Sequence, residues 1–141
     1  MTRPIALLII DPQNDFCDLP EGWRGFDPIR NAPAAPALPV TGAHADMLRL
    51  AALIDAGGAG LSRITVTLDS HQRYDIAHPT FWQTGAGEAV SPFTAITAAQ
   101  VRAGSYRPRD PAALSRTLAY LDALEQAGRY TLMVWPVHCE V

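Results

Sequence analysis

The polar residues able to do chemistry stand directly behind apolar runs. The run 5–10 is followed by Asp11-Pro12-Gln13-Asn14-Asp15-Phe16, the run 64–68 by Asp69-Ser70-His71, and the run 130–135 by Pro136-Val137-His138. Asp69 and His71 are two apart, and in an extended segment leaving a strand such residues point to the same side, so both can reach one ion. His78, seven beyond His71, and His138 complete a set of one carboxylate and two or three imidazoles. That set suits Zn²⁺, Fe²⁺ or Mn²⁺ and disfavours Ca²⁺ and Mg²⁺. An open coordination position would hold water or substrate. Asp-x-His is equally a common spacing and His78-Pro79 an ordinary loop, so spacing alone leaves both readings open.

Positioning these residues requires strands that end together. The run 5–10 is continuously apolar and β-branched at both ends, which reads as a strand buried on both faces in a parallel sheet. Residues 28–39 hold Pro28, Pro33, Pro36 and Pro39 and read as an extended surface loop. Met47, Leu50, Ala51 and Ile54 mark a helix over 43–56, stopped by Gly57-Gly58. A second strand runs over 63–68. The stretch 79–104 is less regular, although Thr97-Ala98-Ala99-Gln100 has capping-box spacing and Gly104 can end a short helix. Asp110-Pro111 opens a further helix, with Leu114, Leu118, Leu121 and Glu125 on one ridge and Gly128 at its end. A third strand covers 130–135. The order β-α-β-irregular-α-β is that of a right-handed, doubly wound α/β sheet, whose carboxyl edge binds ligands. His44 reads as a helix-opening contact and Trp23 and Trp82 as pocket or loop-packing residues; Arg107 and Arg109 read as a grip for a carboxylate product or, preferred, exposed loop charge, and Asp15 and Asp18 as acidic neighbours of Asp11 or, preferred, turn formers.

Composition narrows the class. The chain has 141 residues and a net charge of −3, with arginine but no lysine and with two distant cysteines, Cys17 and Cys139. That is the length of one domain, 1–141, with no disulfide framework. The acidic balance without a basic cluster excludes a nucleic-acid partner, and no apolar run approaches the ~20 residues that span a membrane. The first apolar run ends in charge, unlike a signal peptide. The expectation is a soluble, cytoplasmic α/β domain.

Four blocks carry a resemblance. Asp11-x-Gln13-Asn14-Asp15-Phe16-Cys17, Asp69-Ser70-His71, His78-Pro79-Thr80-Phe81 and Trp135-Pro136-x-His138-Cys139 resemble, in order, the signature blocks of the nicotinamidase branch of the isochorismatase-like cysteine hydrolases. The resemblance implies a three-layer α/β/α, Rossmann-like parallel sheet, here truncated after its third strand. It implies Asp11 as general base and Asp69, His71 and His138 as ligands of a divalent transition metal (Zn, Fe or Mn), with His78 at a fourth position. It implies Phe16 and Trp135 as walls for a flat amide-bearing ring, and Gln13 and Asn14 as supports for Asp11 and its loop. A carboxylate at a buried strand end is desolvated, which raises its pKa and suits a base. The implied reaction is thiolate attack on a small carboxamide such as nicotinamide, release of ammonia and hydrolysis of the thioester.

The family also uses a lysine and a later nucleophilic cysteine. This chain has no lysine, and it stops three residues after His138. Cys17 and Cys139 match non-catalytic positions. The first expectation is therefore the N-terminal part of an amidohydrolase, inactive alone, with homo-oligomerisation open. A non-catalytic metal-binding or interaction module descended from the hydrolase is the alternative. A hydrolase in which metal-bound water replaces the cysteine is the third. His138 lies sixty positions beyond His78, with residues 79–134 between them. They read as an insertion over 79–134, either a lid, a subunit contact or, preferred, a solvated surface excursion.

Overall fold

The computed structural model describes residues 4–141, and the chain divides between Ser70 and His71 into two compact units. The first unit runs through strand β1 (Ala6–Ile9), the short strands β2 (Phe26–Asp27) and β3 (Ala32–Pro33), helix α1 (Ala43–Gly57) and strand β4 (Arg63–Val66). β1 and β4 are parallel, with Ala6 opposite Arg63 and Ile9 opposite Val66. Parallel strands need a crossover, and α1 lies in it. Helix and strands stand where the apolar spacing puts them, but the burial differs. Ile5, Leu8 and Ile10 of the first run and Ile64, Val66 and Leu68 of the second are exposed. No residue of α1 is fully buried. Two strands and one helix do not make the layers that cover both faces of a parallel sheet. The doubly buried strand is thus corrected.

The second unit holds β5 (Trp82–Thr84), β6 (Thr94–Ile96), helix α2 (Ala98–Arg102), β7 (Tyr106–Pro108), helix α3 (Leu114–Gln126) and β8 (Leu132–Val134). β5 pairs antiparallel with β7, and β6 with β8. The expected third strand is therefore β8, bonded to an antiparallel partner instead of extending the β1–β4 pair. The chain is mixed α/β, with one two-stranded parallel sheet and three two-stranded antiparallel sheets among the described residues. The three apolar runs therefore do not share one parallel sheet: β1 and β4 pair with each other, and β8 pairs with β6.

The solvated excursion is also corrected. Residues 79–134 supply the core: Trp82, Ile96, Leu121 and Val134 are almost wholly buried, and Phe81, Val90, Val101 and Leu132 pack with them. The local signals in this stretch are realised. Thr97 and Gln100 form a reciprocal capping box at α2. Asp110 accepts the Ala112 N–H at 2.9 Å ahead of α3. Glu125 of the α3 ridge accepts the Ala98 N–H at 2.7 Å, which ties α3 to the start of α2. No helix among the described residues is long and apolar enough to cross a membrane.

Candidate metal centre

The second unit brings His71, His78 and His138 together. One ligand nitrogen from each lies within 4.8 Å of the others, close enough to bind a single metal ion. Their ring centroids are 4.7 to 5.2 Å apart. His78 and His138 are buried and His71 is half-buried.

Backbone hydrogen bonds hold the three rings. The His71 N–H donates to the Cys139 carbonyl at 3.0 Å, and Val141 N–H donates back to the His71 carbonyl at 3.0 Å. His71 is thereby paired in parallel with Glu140, two residues beyond His138. The loop between His71 and His78 is folded on itself. Asp75 accepts the Ala77 N–H through its carboxylate and the His78 N–H through its carbonyl. The Thr80 hydroxyl donates to the Arg73 carbonyl, and the Trp82 indole N–H to the Ile76 carbonyl. Trp135 N–H donates to the Ala77 carbonyl at 2.7 Å, which fixes Trp135 beside His78.

The donor chemistry fits an ion. His138 Nδ1 stands 2.6 Å from the Pro136 carbonyl. A carbonyl can only accept, so Nδ1 is the donor in this contact, which leaves Nε2 as the ring nitrogen to face an ion. His78 has both ring nitrogens buried without a hydrogen-bond partner. Such groups are costly unless something binds them. Burial, and after it the nearby His71 and His138, push the His78 pKa below its ordinary 6.5. His78 is therefore held neutral, the form that binds metal.

The first unit positions the other residues. Asp11 follows β1 with φ +50, a left-handed conformation. Its carboxylate accepts the Thr67 hydroxyl proton at 2.8 Å, and its N–H meets the Thr67 carbonyl and hydroxyl oxygens at 3.2 Å each. Thr67 carries no signal of its own in the sequence; the parallel register puts it, the residue after Val66, opposite the end of β1. Asp11 and Phe16 share a cleft of about 340 Å³ with Cys17, Val40 and Met47. The strand end is half-exposed, with Ile10 open to solvent, so the buried carboxylate expected there is corrected. Gln13 grips the Asp69 backbone both ways, Nε2 donating to its carbonyl at 2.9 Å and Oε1 accepting its N–H at 2.6 Å. Gln13 thus ties the Asp11 loop to the end of β4. Asn14 is exposed, and its carbonyl accepts the Cys17 N–H. The Asp69 carboxylate accepts the Ser70 N–H at 2.9 Å.

The lesser candidates resolve simply. Asp15 accepts the Ala37 N–H, and Asp18 accepts those of Gly42 and His44, so both pin loops as expected. His44 packs edge-on to Trp23 at 4.9 Å, while Trp82 belongs to the core. Arg107 lies exposed on β7. Neither cysteine has the setting of a nucleophile. Burial, then the Asp18 carboxylate, pushes the Cys17 thiol up, away from thiolate. Cys139 is buried, and its carbonyl serves His71. Comparison of the chain with protein-family models, curated proteins and solved structures finds no match.

Proposed function

We propose that this chain is the metal-holding part of a nicotinamidase-like amidohydrolase, which converts a small carboxamide such as nicotinamide to the acid and ammonia. The observation that carries the reading is the histidine trio, and within it His78, buried with two unbonded ring nitrogens. A divalent transition metal (Zn, Fe or Mn) would supply Lewis-acid polarisation there. His71, His78 and His138 would hold it, His138 through Nε2. Asp11, oriented by the Thr67 hydroxyl, is the proposed base that takes the proton of an attacking thiol. Trp135 is the proposed wall for the substrate ring. Gln13 keeps the Asp11 loop against the backbone of Asp69.

The thiol itself is not supplied by Cys17 or Cys139. Without a thiolate no acyl intermediate forms. The 141 residues alone are expected to bind metal and to leave amides intact. The lack of an activated cysteine also favours a second reading, a non-catalytic metal-binding module.

Metal titration by calorimetry tests the centre. One ion per chain is expected, with affinity reduced about tenfold or more in His78→Gln. A chain that takes up no Zn²⁺, Fe²⁺ or Mn²⁺ refutes the proposal. Ammonia assays with nicotinamide, with and without a chelator, should be blank. Chelator-sensitive release by these residues would instead show a hydrolase that needs no cysteine. Nicotinamide binding by the metal-loaded chain favours the hydrolase, and metal binding without it favours the module.

A further inference from the structure

Phe93 is an exposed aromatic held in a conformation that bulky side chains avoid. Its φ is +65, and the residue is 60% exposed. Such strain persists only where the surroundings enforce it, and it gathers at functional sites. Here the enforcing contacts are visible. Phe93 immediately precedes β6, and its N–H donates to the Val134 carbonyl at 2.6 Å. The β6–β8 register sets Thr94 opposite Val134, so Phe93 falls opposite Trp135. The two rings meet at 86° with centroids 5.9 Å apart. Trp135 is itself exposed, and its N–H is bonded to Ala77, the residue before His78. A right-angled aromatic corner is thereby tied to the metal centre through the backbone.

We propose that Phe93 is a specificity-determining wall, which with Trp135 selects planar unsaturated carboxamides over saturated ones. This rests on the amidohydrolase reading above. A flat ring laid parallel to one side of the corner presents its edge to the other, and both contacts are favourable between aromatic systems. A puckered saturated ring of the same size can make neither. The strain at Phe93 then has a role that packing does not give it, because a ring this exposed contributes little to the core.

The test is binding to the full zinc-loaded chain by calorimetry or ligand-observed NMR. The probes are nicotinamide and its saturated counterpart, piperidine-3-carboxamide. The native chain should prefer nicotinamide about tenfold. Phe93→Ala should lose most of that preference with zinc affinity unchanged, and Phe93→Tyr should keep it. Phe93→Gly separates function from packing: glycine suits φ +65, so its thermal midpoint should hold or rise while ring selection is lost. Unchanged selectivity in Phe93→Ala, or a native chain that binds neither probe, overturns the proposal. A Phe93→Gly chain that loses stability and selectivity together also overturns it, because that is the behaviour of a packing residue. Ring selection that survives without zinc uptake would support the corner and sink the metal reading, so the two failures are distinguishable.

Discussion

The two units use apolar residues in opposite ways. In residues 4–70 the apolar runs are long and regular, yet Cys17 and Leu19 are the only hydrophobic residues fully buried among those described. In residues 71–141 the apolar residues are scattered among prolines, glycines and short strands, yet they form the core around Trp82, Ile96, Leu121 and Val134. A continuous run such as 5–10 states what a strand requires, cover on both faces. It does not supply that cover. The second unit meets its own requirement because each short strand finds an antiparallel partner a few tens of residues away. Helices α2 and α3 then close over them through the Glu125–Ala98 hydrogen bond. Stability should therefore reside in the second unit, which also holds the three histidines.

The sharpest way to break this comparison is to cut one leucine from each unit. Leu121→Ala removes a side chain with no exposure, and should cost about 2–5 kcal/mol in chemical denaturation. Leu8→Ala removes one that is 57% exposed, and should cost about 0.5 kcal/mol. Equal losses would show that the apolar face of β1 is covered in solution.

What the sequence made legible follows the same division. Local chemistry was readable everywhere. The capping box at Thr97, the Asp110-Pro111 helix start and the Gly57-Gly58 stop each depend on a few neighbours, and each is present. Partnership was not readable. Nothing in 130–135 says that β8 prefers β6, because that preference depends on strands too short to show a period. The trio was legible as residue types, since His71, His78 and His138 are singled out by the resemblance where spacing alone left both readings open. The tautomer of His138 was not, because it depends on where the Pro136 carbonyl turns. Thr67 and Phe93 were invisible for a related reason: each acquires its role only from the residue set opposite by strand register.

A middle-sized effect should follow pH. The folded-state pKa of His78 lies below its ordinary 6.5, by burial first and by His71 and His138 second. Where folding lowers a histidine's pKa, the unfolded chain binds the proton more readily. The stability due to neutral His78 is then fully present above the ordinary value and lost as pH falls below it towards the folded-state value. The second unit of the metal-free chain should unfold more easily at about pH 5 than at about pH 7, followed by tryptophan fluorescence of the buried Trp82. His78→Gln should flatten that dependence. A native chain whose second unit is as stable at the lower pH would show that His78 takes up its proton as readily in the folded chain as in the unfolded one.

The smallest expected effect lies in the first unit, at a contact its weak core makes important. Gly42, at φ +88, precedes α1 and has no side chain to cap it. Asp18 does so from a distance, accepting the Gly42 N–H at 2.8 Å and the His44 N–H at 2.9 Å. Those two donors hold its carboxyl below the ordinary 3.8. The stabilisation is therefore present above that value and lost as pH falls through the lowered one. Asp18→Asn leaves one acceptor oxygen and sets an amide NH₂ against the second backbone donor. Hydrogen exchange at Gly42 and His44 should quicken, because the first turn of α1 has no buried side chain to hold it closed. The unfolding midpoint of the second unit should stay where it is. If Asp18→Asn lowers that midpoint as far as Leu121→Ala does, the two units unfold as one and the contrast between them is of burial alone, not of stability.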